Sequence, residues 1–240
     1  MAVAIVTGAS RGLGAAVAAS LAKDGWSVVI DARDEPALKG SRAEAVSGAA
    51  PGATVVAVAG DITDPAHRRA LVAEAERLGG LDLLVNNASR LGPSPQPNLS
   101  DYPLDELRAV FEANVVAPIA LTQLASPRLR DSPNPRVVNV TSDASVEAYD
   151  GWGGYGASKA ALDHISAVLA VEEPGIRVWA VDPGDMQTQM HQEAFPGEDI
   201  SDRPLPEAVV PGLLSLLESD RPSGRYRLAD LSLAEAESTR

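Results

Sequence analysis

"VTGASRGLGAAVAASLA" (residues 6–22) passes from a β-branched run into an alanine-rich one, and Gly8, Gly12 and Gly14 mark the passage. The left side suits a strand and the right side a helix. Glycine at the join lets the backbone turn tightly and lie close to a bound pyrophosphate, and a helix starting there offers unpaired N–H groups and the positive end of its dipole. A glycine-rich turn can also be a plain strand-to-helix connection, and the spacing TGxxxGxG departs from the GxGxxG of the standard dinucleotide fingerprint. The surrounding chain decides between these readings.

Outward from this turn, short β-branched runs alternate with longer alanine- and leucine-rich ones. Residues 3–7, 27–30, 54–58, 82–85, 136–141 and 176–181 read as strands, and 13–24, 36–47, 65–78, 102–126 and 154–171 as helices. The strand runs are nearly continuous in apolar residues, as strands covered on both faces require. Strict β-α alternation gives an α/β fold, a doubly wound parallel sheet with helices on both sides, whose ligands lie beyond the carboxyl ends of the strands. Two stretches interrupt the alternation. Residues 89–103 carry prolines at 93, 95, 97 and 103 and read as a semi-rigid surface loop. Residues 185–206 follow the sixth strand and are the longest candidate substrate lid. The tail LSLAEAESTR (231–240) carries no binding signal and is expected to fray.

With 240 residues, 45% of them hydrophobic, the chain can bury a full core, and one domain over 1–240 is expected. A net charge of −13 argues against a nucleic-acid partner, which needs a basic face to displace counterions. There is no cysteine, so neither a disulfide nor a thiolate metal site can form, and His67, His164 and His191 match no metal-ligand spacing. No metal is expected. The apolar start MAVAIVTG is too short and too soon broken for a signal peptide, and nowhere do eighteen apolar residues run together. No membrane partner and a cytoplasmic location are therefore expected.

GGYGASKAAL (153–162) sets Tyr155 one helical turn before Lys159. Most such i,i+4 pairs are ordinary surface pairs. The other reading is a phenol tuned for proton transfer. Lowering a tyrosine pKa by about 3 units takes roughly 4 kcal/mol, and a cation about 4 Å away at an effective dielectric near 20 supplies about that much. At the end of the second strand, VVIDARD sends Asp31 and Arg33 to one side and Ala32 to the other. A carboxylate there would suit the ribose of NAD and an arginine the 2′-phosphate of NADP, and geometry alone does not choose.

TGxxxGxG at 7–14, NNA at 86–88, Asn114, Ser142, YxxxK at 155–159 and PGDMQT at 183–188 together resemble the short-chain dehydrogenase/reductase family over residues 3–188. A narrower likeness, to the sepiapterin reductases, rests on GWGGYGASKAAL, LAVEEPGIRV, PGDMQTQM and LLSLLESDRPSG, and extends it to about residue 224. The resemblance implies a Rossmann-type sheet of about seven strands in the order 3-2-1-4-5-6-7 and an NADP(H)-dependent oxidoreductase of a small ketone or vicinal dicarbonyl. It assigns Tyr155 as proton donor and Lys159 as the group that lowers its pKa and holds the nicotinamide ribose. Ser142 would hydrogen-bond the substrate carbonyl, and Asn114 would hold a water relaying protons to Lys159. Gly8, Ser10, Arg11, Gly12, Leu13 and Gly14 would form the phosphate turn, with Arg33, and Arg11 as a second candidate, on the 2′-phosphate. Asp61 and Ile62 would meet adenine, Asn87, Ala88 and Ser89 the adenosine ribose side, and Pro183, Gly184, Met186 and Thr188 the nicotinamide amide and phosphate. Trp152 and Met190 are candidate pocket walls.

The chain departs from the family at Ser89, where NNAG reads NNAS, and from the sepiapterin reductases at Leu228, where their pterin-anchoring carboxylate would stand. Asp61 could instead cap the third helix, but Asp64, just before Pro65, is the better cap. Two other functions share the same residues: a cofactor-binding sensor without turnover, and an alcohol dehydrogenase working toward the ketone. A homodimer or homotetramer is the family's usual assembly.

Overall fold

The computed structural model describes residues 1–231; residues 232–240, on which the expectation of a frayed tail rests, lie outside the described residues. Seven strands form one sheet: β1 Val3–Val6, β2 Ser27–Ala32, β3 Val55–Ala59, β4 Leu83–Asn86, β5 Arg136–Val140, β6 Arg177–Asp182 and β7 Gly224–Arg227. Every neighbouring pair is parallel and the order is β3-β2-β1-β4-β5-β6-β7. The sequence expectation of a doubly wound Rossmann sheet in this order holds.

Period-2 geometry splits each strand between two cores. Ala4, Val6, Val28 and Ile30 pack with α1 (Gly12–Lys23), α2 (Glu35–Gly48) and α8 (Pro206–Glu218). Val3, Ile5 and Val29 pack on the other face with α3 (Pro65–Leu78) and α5 (Ala117–Asp131). Continuous apolar runs were therefore the right signal. On α3, the side chain of Asp64 accepts from the Ala66 amide at 2.8 Å ahead of Pro65, so the expected cap is in place.

The helix read at 102–126 differs in two ways. It begins as α4 (Leu104–Phe111), passes through a π-helical turn at Glu112–Val116, and continues as α5 to Asp131 through Pro127. Pro127 deprives the Gln123 carbonyl of its donor, but both residues are exposed, so water can replace it, while buried Leu129 holds the extra turn to the core. This Leu104–Asp131 run is long and apolar enough to cross a membrane, yet 56% of its most apolar stretch is buried inside the protein. Between β6 and α8 lies the short α7 (Gln189–Ala194), followed at the far sheet edge by β7; neither α8 nor β7 was placed from the sequence.

Candidate active site

The carboxyl ends of β1 to β6 open on one cleft of about 1700 Å³, roomier than the roughly 300–1,000 Å³ of a typical small-ligand pocket and so able to take a dinucleotide together with a small substrate. Of the catalytic, cofactor-binding and pocket-wall residues that the resemblance assigns, all but Gly14 and Asn114 line it. Those two stand just behind the wall. A Cβ on Gly14 would lie 2.5 Å from both Asn87 Nδ2 and the Gly8 carbonyl, so glycine there lets α1 pack on the turn.

The turn itself is braced from below. Gly8 has φ +65°, and a Cβ on it would meet the Ala88 backbone at 2.7 Å. Its N–H donates to Asp31 Oδ1 at 2.7 Å, and Asp31 Oδ2 bonds His67 Nε2 at 2.9 Å, with both side chains buried. Asn87 Nδ2 donates to the carbonyls of Thr7 and Gly8 at 2.8 and 3.1 Å. Both oxygens of Asp31 are thus turned into the protein, while Arg33 is exposed on the cleft. Arg11 reaches Asp34 at 3.2 Å and also bonds Gln189 across the cleft. Asp61 accepts from the Thr63 amide and hydroxyl at 2.9 and 2.8 Å. Burial pushes its carboxyl up, but those two bonds and the charges of Arg33 and His67 outweigh burial and hold it below the usual range. Sequence reasoning missed the Asp31–His67 pair, since it gave His67 no partner.

Deeper in the cleft, α6 (Gly153–Glu172) presents Tyr155 in its first turn and Lys159 in its second, 8% and 2% exposed. Lys159 Nζ donates to the Val140 carbonyl at 2.8 Å and sits 5.5 Å from the centroid of the Tyr155 ring. Burial draws the ammonium down from 10.5 to about 8, against a small upward pull from Asp163. The phenol is pushed above its ordinary value, by burial first and by the charges of Asp143 and Asp182, while the Ser89 hydroxyl pulls it down. Its pKa is thus raised, where the spacing from Lys159 had suggested a lowered one. Asn114 lies in the π turn, and its side-chain amide is fully engaged. Oδ1 accepts from the Ser89 hydroxyl at 3.2 Å and the Arg90 amide at 2.8 Å, and Nδ2 donates to the Arg90 carbonyl and Ser158 Oγ, each at 2.9 Å. Ser142 follows β5, and its Oγ donates to Asp143 Oδ1 at 2.9 Å.

A glycine turn on the first βα junction and a tyrosine one helical turn before a buried lysine find their match in known proteins. The short chain dehydrogenase family model fits residues 2–199. The chain belongs to this family. It is 37% identical to mouse sepiapterin reductase over 80% of this chain and 77% of that protein. It is 35% identical to the yeast benzil reductase that forms (S)-benzoin, over 80% of this chain and 74% of the relative. A Shigella flexneri protein solved as a complex with NADP superposes with a TM-score of 0.86 at 28% identity, covering 94% of this chain and 95% of that one. As a sepiapterin reductase-like short chain dehydrogenase, the chain is an oxidoreductase of CH–OH and C=O groups.

In this dehydrogenase the space in front of Tyr155 is apolar. Leu91 and Ala144 pack with Tyr155, and Trp152, Met190 and Ala194 close against them. Trp152 meets Tyr155 edge-on at 5.8 Å between centroids and lies 5.7 Å from Phe195. Helix α7 spans this space, capped by Thr188 Oγ1 and tied at one end by Arg11 to Gln189 and at the other by Ser94 Oγ to the Glu193 carbonyl at 2.6 Å. Leu91 and Ala194 line the cleft and were not named from the sequence; Phe195 stands behind Trp152.

Proposed function

We propose that this short chain dehydrogenase is an NADPH-dependent reductase of a small ketone or vicinal dicarbonyl, with Tyr155 as proton donor. The observation that carries the reading is the buried Tyr155 ring, 5.5 Å from Lys159 Nζ and packed against Leu91 and Ala144, in the same cleft as the glycine turn. NADPH, when bound, supplies the hydride to the carbonyl carbon. Gly8 and Gly12 leave their backbone free of side chains for its pyrophosphate, at the amino terminus of α1. Lys159 holds the nicotinamide ribose, and its charge steadies the phenolate left when Tyr155 gives its proton to the substrate oxygen. The inward turn of Asp31 and the exposure of Arg33 support NADPH over NADH.

The same reading takes residues 1–240 as one domain and 185–206 as the lid over the substrate. Exposed Leu124 on α5 and Val168 and Val171 on α6 are apolar surface for a second subunit in a cytoplasmic homodimer or homotetramer.

The test is NADPH consumption with benzil, butane-2,3-dione and simple ketones. Turnover is expected in the parent and a loss of at least about a thousandfold in Tyr155→Phe, with NADPH affinity kept. Tight NADPH binding without turnover of any carbonyl would instead make the protein a cofactor sensor. Arg33→Ala is expected to raise the KM for NADPH by about tenfold or more, the loss of one charge-assisted contact, and to leave NADH nearly unchanged. Equal effects on both cofactors would remove Arg33 from the 2′-phosphate.

A further inference from the structure

Tyr102 stands near the end of the proline-bearing loop, two residues ahead of α4, and is 5% exposed. Its ring is held between two glycines. A Cβ on Gly92, in the same loop, would lie 2.3 Å from the Tyr102 hydroxyl oxygen, and a Cβ on Gly154, in the first turn of α6, would lie 2.4 Å from its Cζ. Each glycine adjoins a residue of the substrate pocket: Leu91 comes just before Gly92, and Tyr155 just after Gly154. The hydroxyl is buried and has no hydrogen-bond partner among the described residues, although buried tyrosines usually find one. The ring is therefore kept for the space it fills and not for its polar tip. The loop around it is anchored at several points. Arg90 pairs with Glu106 of α4 at 2.7 Å, and its backbone is held by Asn114. A Cβ on Gly153 would lie 2.3 Å from Leu99 Cγ, so loop and α6 meet there too. Interiors are close-packed, so volume added or removed behind such a wall is passed on to the pocket in front of it.

We infer that Tyr102 is a positioning residue that determines specificity: its ring, wedged behind Leu91 and the first turn of α6, sets the width of the pocket in front of Tyr155 and so the size of carbonyl substrate the site accepts. The inference rests on the carbonyl-reductase reading above. Tyr102 does not line the cleft, so it acts through Leu91 and Tyr155 and touches neither substrate nor cofactor. Taking the ring away leaves a cavity behind the wall into which Leu91 can withdraw, and a bulky ketone gains room. A methyl group added at Gly154 presses the ring toward Gly92 and Leu91, and the bulky ketone loses room. The hydride and proton steps are the same for either substrate, and only the space differs.

The experiment measures kcat and KM with NADPH for benzil and for butane-2,3-dione, which carry the same vicinal dicarbonyl between large and small flanking groups. Parent, Tyr102→Ala, Tyr102→Leu, Tyr102→Phe and Gly154→Ala are compared, with NADPH affinity and thermal melts as controls. Tyr102→Ala is expected to raise the ratio of kcat/KM for benzil over butane-2,3-dione by about tenfold or more, chiefly through the benzil KM. Tyr102→Leu should move it the same way by about threefold, and it carries the test if the alanine variant does not fold. Gly154→Ala is expected to lower the ratio by about tenfold, and Tyr102→Phe, which keeps the ring, to hold it within about twofold of the parent. A role in stability alone would lower melting temperatures without separating the two substrates. A ratio within about twofold of the parent in folded Tyr102→Ala or Tyr102→Leu, or a shift of the same sign in Gly154→Ala, overturns the inference and leaves the reductase reading standing. Absence of Tyr155-dependent turnover of both diketones overturns the reading and the inference with it.

Discussion

Lys159 is a charge kept at a cost. Its drop from 10.5 to about 8 corresponds to about 3 kcal/mol of unfavourable burial at neutral pH. Below pH 8 the folded and unfolded chains both hold the proton, and the whole cost is present. Between about 8 and 10.5 only the unfolded chain holds it, so this group's contribution to stability improves as pH rises; above 10.5 the cost is gone. Lys159→Met is therefore expected to melt at a higher temperature than the parent at pH 7, the gap narrowing from pH 8 to 10, while turnover is lost. A variant less stable than the parent at pH 7, or a gap indifferent to pH, would mean that the bond to Val140 outweighs the desolvation. Carbonyl reduction by the parent is expected to decline as pH rises through about 8, where the ammonium that steadies the phenolate is lost.

At the level of elements, Asp31 joins three of them: the end of β2, the first turn of α3 through His67, and the glycine turn through Gly8. Gly60 allows this, since a Cβ there would lie 2.3 Å from His67 Nδ1. Asp31→Ala would leave the half-buried Gly8 N–H and the buried His67 ring without their shared acceptor, an expected loss of about 3 kcal/mol in urea melts, and NADPH and NADH should weaken together because the turn is the proposed pyrophosphate site for both. A loss confined to NADH, with stability intact, would show Asp31 reading the ribose instead. This pair was invisible in the sequence because the end of a strand and a helix 36 residues on meet only in the folded sheet. The glycine turn and the Tyr155–Lys159 pair, which we propose as catalytic, were legible because their spacing is local, and six strands because burial on both faces leaves continuous apolar runs. β7 reads GRYR and, with no residue of it fully buried, carries no such run.

Over the whole molecule, that plain edge strand is what fastens the site's far side. Arg225 on β7 reaches Asp163 of α6 at 3.1 Å, Asp182 at the end of β6 at 3.1 Å, and the Ser142 carbonyl at the end of β5 at 3.0 Å. Asp182 is 2% exposed, and its other oxygen accepts from the Gly184 amide at 3.0 Å, where the chain sets out toward α7. One guanidinium thus joins the serine, the helix of the tyrosine and lysine, and the root of the segment over the pocket. Arg225→Met would leave Asp182 Oδ2, among the described residues, with a 3.8 Å contact to Arg227. The expected cost is about 3 kcal/mol, or a fall of roughly 6–12 °C in melting temperature for a chain of this size. Arg225→Lys keeps the charge but cannot bridge three acceptors with a planar fork, so it should recover part of the stability and little of the kcat. Full recovery of both by lysine would show that β7 supplies the site with charge alone, and that the geometry at Ser142 and Gly184 is set elsewhere.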